Sequence, residues 1–122
     1  VGSYFDGTAT VPLSYTWDGT SWIAYVGAYP NGVKASGFSG VSCNAPGKCI
    51  AVGYADYKTG LTPLGDRFET TLWTTHTASV PGSEPAVMTS VSCLGDNFCE
   101  GVGYDTPSNN FGNNSDFAQQ WS

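Results

Sequence analysis

The chain has 122 residues, 40% of them apolar and only 11% charged, with a net charge of −6. That is room for one modest domain with a real core, and it excludes a charge-rich disordered chain. Its only cations are Lys34, Lys48, Lys58 and Arg67, too few to neutralise a phosphate backbone, so nucleic acid is not an expected partner.

No apolar run approaches the length of a membrane span, and no basic amphipathic stretch suggests a membrane surface; no membrane insertion is expected. Gly and Pro break the chain into short pieces, while Tyr, Trp, Phe, Val and Thr supply strand formers. The expected class is all-β, and no segment has a helical period.

In chain order, Val1-Gly2 opens the sequence, and the first alternating run is Pro12 to Trp17. There Leu13, Tyr15 and Trp17 share one face and Ser14 and Thr16 the other. Asp18-Gly19 follows as a hairpin signal of the type I′ kind, and Ser21 to Val26 is the next strand. After the turn Pro30-Asn31-Gly32 come Gly40 to Cys43, Cys49 to Tyr54, a run around Leu64 to Phe68 and another around Leu72 to Thr77. Glu69-Thr70 stands where the earlier hairpin has Asp18-Gly19, so this hairpin is expected to turn differently.

The stretch from Val41-Ser42-Cys43 through Cys49 to Val52-Gly53-Tyr54 returns as Val91-Ser92-Cys93, Cys99 and Val102-Gly103-Tyr104. The register extends further: Pro12-Leu13 matches Pro63-Leu64, Trp17 matches Phe68 and Trp121, Trp22 matches Trp73, and Pro30 matches Pro81. Internal self-similarity at this period marks stacked units. It divides the chain into a partial repeat over 1–31, a full one over 32–82 and a partial one over 83–122, each full repeat holding four antiparallel strands.

Val-Ser-Cys, five residues, Cys, then Ala-Val-Gly-Tyr, together with Asp-Gly-Thr-Ser-Trp and a Pro-Asn-Gly turn, resembles a repeat of secreted actinobacterial proteins. The resemblance implies β-propeller-like blades and says little about activity, because a fold hosts many functions. About two and a half blades would be present, below the four or more of a closed propeller. The incomplete outer repeats are therefore expected to pair with copies of the same chain, giving a ring or a filament.

Cys43, Cys49, Cys93 and Cys99 at matched spacing read as a disulfide framework made in an oxidising compartment. Pairing inside each repeat, Cys43 with Cys49 and Cys93 with Cys99, keeps one bond in each copy; pairing across repeats is the alternative. The start without Met reads as a processed or trimmed piece, with secretion to the extracellular space as the expected history. The cysteine spacing is too wide for a typical zinc site, and His76 is the only histidine. No metal site and no cofactor are expected, and calcium binding in the Asp-bearing loops is left open.

No catalytic motif stands out, so no catalytic residue is assigned and the protein is read as not an enzyme. His76 with Asp66 or Glu69 could form a general base, but Tyr25 holds the equivalent position, which favours an exposed strand residue. Two of the ten acids could in principle meet as a glycosidase pair, although Asp6, Asp18, Asp56, Asp96 and Asp105 fall at turns and loops that explain them. Asn113-Asn114-Ser115 is a formal glycosylation sequon. Trp17, Trp22, Phe68, Trp73 and Trp121 recur at fixed positions and are expected in the core. The non-equivalent aromatics Tyr4, Phe5, Tyr25, Tyr29, Tyr57 and Phe111 are the candidate ligand-binding residues, suited to stacking on a glycan from loops. The leading expectation is a self-associating structural or adhesive module, with a glycan-binding module second and a glycoside hydrolase third.

Overall fold

A computed structural model describes residues 1–76, 85–95, 98–105 and 116–121, the last stretch without the side chains of Phe117 and Trp121. Phe111, Asp96, Thr77, the turn at Pro81 and the sequon at Asn113 lie outside the described residues, as does the burial of Trp121. The described chain is all-β, with ten strands and no helix.

They are β1 (Gly2–Phe5), β2 (Thr10–Trp17), β3 (Trp22–Val26), β4 (Ala35–Ala45), β5 (Lys48–Tyr57), β6 (Gly60–Glu69), β7 (Leu72–Thr75), β8 (Ala86–Cys93), β9 (Cys99–Asp105) and β10 (Asp116–Trp121). The first seven form one sheet in the order β1-β2-β4-β5-β6-β7, with β3 also on β2; β8, β9 and β10 form a second, in the order β10-β9-β8. All pairings are antiparallel except the parallel contact of β2 with β4 at Thr10 and Ala35.

The seven-stranded sheet is curled. Around Thr10 and Ala35 it is continuous, and away from that point β2–β3 folds over β6–β7. Cross-strand partners share a face, so Leu64, Phe68 and Trp73 lie with Ala51 and Phe38 on what we term the front face of β4–β7. These five form one buried cluster, with Tyr25 and Ala28 packed against it. The Trp73 indole N–H donates to Ser14 Oγ at 2.9 Å, and the rings of Tyr25 and Phe68 lie 5.0 Å apart.

The back face of β4–β6 is covered by the second sheet. Ile50 and Val52, alternating with Ala51 along β5, pack with Met88, Val91 and Cys99 in a second cluster. The Cys93 N–H donates to Ser42 Oγ at 3.0 Å. The continuous apolar run of β5 follows from this, since a strand between two layers has no polar side.

Both disulfides close hairpins within a copy of the motif, Cys43–Cys49 and Cys93–Cys99, each with Cα atoms 4.0 Å apart. Both hairpins also carry an irregularity at the same place, between Phe38 and Gly40 and between Met88 and Ser90. Opposite each stands the Gly of Val-Gly-Tyr. A Cβ on Gly53 would run into the Gly37 carbonyl oxygen, and one on Gly103 into that of Val87.

Two local expectations change. Trp17 pairs with Trp22, so the loop between them is four residues rather than a two-residue type I′ turn. Gly19 alone takes a positive φ, of 99°; Asp18 Oδ1 accepts the N–H groups of Thr20 and Ser21, each at 2.7 Å. Asp18 is there for its side-chain acceptor. The β6–β7 hairpin does turn differently, through Thr70-Thr71, with Thr70 at a φ of 63°.

Candidate functional site

The front face of β1–β3 carries Tyr4 from β1, Val11, Leu13, Tyr15 and Trp17 from β2, and Trp22, Ala24 and Val26 from β3, as the pairings dictate. Val11 is buried at the start of β2, and the face opens toward Tyr15, Trp17 and Trp22. By the sequence register these are the counterparts of the buried front face of β5–β7: Leu13 corresponds to Leu64, Trp17 to Phe68 and Trp22 to Trp73. Their environments are opposite. Phe68 is 2% and Trp73 5% exposed, whereas Trp17 is 51% and Trp22 63% exposed, with Tyr15 at 55%.

Core packing therefore holds for Phe68 and Trp73 and fails for Trp17 and Trp22. The cause is layering: β2–β3 lies over Phe68 and Trp73, and among the described residues nothing lies over Trp17 and Trp22. Those two rings rest on each other instead, with centroids 5.4 Å apart. Periodicity identified a core-type face but could not tell whether a layer would cover it.

The second open surface is the back face of β8–β9, with Ser90 and Ser92 from β8 and Glu100, Val102 and Tyr104 from β9. All five are exposed, Val102 at 45%. Their counterparts on the covered back face include Ser42, Ile50, Val52 and Tyr54. Ser90, Ser92, Glu100 and Val102 line a shallow hollow of about 220 Å³.

A larger cleft, about 510 Å³, opens between β2 and the β4–β5 hairpin, with Thr16, Trp17, Val41, Pro46, Phe68 and Trp73 among its walls. None of the candidate glycan-stacking residues that are described, Tyr4, Phe5, Tyr25, Tyr29 and Tyr57, lines it. Tyr4 and Phe5 are exposed on β1, and Tyr29 is exposed in the connection after β3. Tyr57 ends β5 and is half-buried. Phe5, Tyr29 and Tyr57 belong to the end of the sheet marked by Thr10, Ala35 and Asp56, away from the disulfide hairpins. Tyr25 instead sits between layers against Phe68.

Of the acids, Asp6 is held below the usual carboxylate range by the backbone N–H groups of Ala9 and Thr8, and Asp18 by those of Ser21 and Thr20. Asp66 is different. It is fully buried on the front face of β6, flanked along the strand by Leu64 and Phe68, and neither carboxylate oxygen meets a donor in hydrogen-bond geometry. Burial pushes its pKa up to about 7, against a smaller downward pull from the Ala28 N–H and the Thr75 hydroxyl. His76 is exposed at the end of β7, so Asp66 and His76 differ sharply in access to solvent. Among the described residues no cluster of His, Cys, Asp or Glu has the makings of a metal site.

No family model matches the chain, and neither a curated protein nor a solved structure matches it.

Proposed function

We propose that this chain is a non-catalytic extracellular module, structural or adhesive, built of propeller-like four-stranded units, which associates with other copies of itself through open sheet faces. The observation that carries the reading is the contrast between Phe68 and Trp73, buried under a neighbouring layer, and Trp17 and Trp22, presented to solvent on the corresponding face. Monomeric proteins rarely leave a contiguous apolar sheet face uncovered unless something docks there. Two disulfides support an oxidising compartment. The non-catalytic reading is supported by the acids: Asp6 and Asp18 serve turn amides, and Asp66 is closed off from solvent.

The test is the double variant Trp17→Ser/Trp22→Ser. Both side chains are exposed, so the fold is expected to survive, with an unchanged circular-dichroism spectrum. Self-association is expected to weaken by at least about tenfold, because two large aromatic side chains are lost from the contact. An association constant equal to that of the native chain would sink the reading.

Glycan binding is a second reading, favoured by the exposure of Phe5 and Tyr29 at the same end of the sheet. It predicts that Phe5→Ala and Tyr29→Ala each weaken retention on a glycan array while leaving molecular mass unchanged. No change in retention would speak against it.

A further inference from the structure

The structure contains the same kind of junction twice. At one, the front face of β4–β7 is covered by the back of β2–β3, through Tyr25, Ser14 and Ala28. At the other, the back face of β4–β6 is covered by the front of β8–β9, through Met88, Val91 and Cys99. Every described layer-to-layer contact thus sets a front against a back, with the same polarity. Among the described residues, what is left over is one front, on β1–β3, and one back, on β8–β9.

We propose that the occupant of the open front is the open back of a second copy, so that the chains associate head to tail and not through two identical faces. This rests on the self-association reading above and specifies its partner. Each open face repeats the residue types of its covered counterpart: Leu13, Trp17 and Trp22 follow Leu64, Phe68 and Trp73, which meet Ser14 and Tyr25, while Ser92, Val102 and Tyr104 follow Ser42, Val52 and Tyr54, whose face meets Met88, Val91 and Cys99. The open front carries no charged side chain, as suits a surface meant to lose its water.

One position departs from the pattern. Glu100 stands where the covered back face has Ile50, and Ile50 lies in the core of the inner junction. A carboxylate there must be desolvated when the faces meet, so it holds the outer contact weaker than the inner one. That difference suits association that is reversible and concentration-dependent.

A head-to-tail contact is heterologous: it closes into a ring if its rotation permits and otherwise grows into a filament. It also has two separable halves, which supplies the test. One variant removes the front, Trp17→Ser/Trp22→Ser; another blocks the back, Val102→Lys/Tyr104→Lys. Each alone is expected to be a monomer by light scattering, and an equimolar mixture is expected to yield a dimer that does not grow, since only one competent front and one competent back remain. Independently, Glu100→Ile is expected to lower the half-assembly concentration by about tenfold.

A back-blocked variant that still associates like the native chain, with Glu100→Ile unaltered, would overturn the head-to-tail assignment. Self-association through paired fronts would then stand without it. A native chain that stays monomeric at every concentration would overturn both.

Discussion

At the scale of single residues, Asp66 is the side chain whose environment has the most consequence. In the unfolded chain its pKa is the ordinary 3.8, and in the folded chain it is about 7. Between those values the folded state holds a proton that the unfolded state releases, so the contribution of Asp66 to stability is most favourable below about pH 4 and falls as pH rises toward 7. At about 1.4 kcal/mol per unit, the fall is ~4 kcal/mol at most. Asp66→Asn is expected to flatten this slope and to raise the urea midpoint at pH 8. A slope equal to that of the native chain would show that Asp66 is not the titrating group. The glycines opposite the two strand irregularities have a different logic. Gly53 and Gly103 have no room for a Cβ, because a carbonyl oxygen of the neighbouring strand occupies the space. Val-Gly-Tyr is therefore a packing requirement.

At the scale of elements, the two disulfide hairpins look alike in sequence and sit in unlike places. Cys43 is exposed and Cys49 half-buried against the front cluster, whereas Cys93 is half-buried and Cys99 fully buried in the cluster with Ile50, Val52, Met88 and Val91. Removing Cys43–Cys49 by paired Ala substitution is expected to cost about 2 kcal/mol, the loop-closure contribution of a short ring. Removing Cys93–Cys99 should cost about 1 kcal/mol more, because both of its sulfurs are the more deeply packed of their equivalents. Urea denaturation of the two double variants checks this, and equal losses would contradict the asymmetry. The strands are legible where turn residues bracket them: Asp18-Gly19, just before β3, marks a real chain reversal. Less legible was the length of β4, which begins at Ala35 and runs through Ser36, Gly37 and Ser39. Small residues there give no strand signal, and the pairing with β5 decides the matter. The turn type at Asp18 is not legible, because Asp can serve a turn through its backbone angle or through its carboxylate, and the sequence does not distinguish them.

At the scale of the whole molecule, the sequence register placed equivalent side chains on equivalent faces, and the structure gives equivalent faces different fates. Leu64, Phe68 and Trp73 are covered; Leu13, Trp17 and Trp22 belong to an outermost layer. Burial in a stack of layers is a property of the neighbour, which is why no pattern within β2 or β3 could announce it. The candidate stacking aromatics were split for the same reason: Tyr25 became part of a layer contact, while Phe5 and Tyr29 stayed in solvent. The central claim is that the uncovered faces are docking surfaces for like copies. Its most direct test is the solution mass of the native chain by light scattering, under non-reducing conditions and over a tenfold range of concentration. A mass above that of the monomer, falling on dilution, is the predicted result. A monomer of about 12.8 kDa throughout the range, with native fold intact, would contradict it.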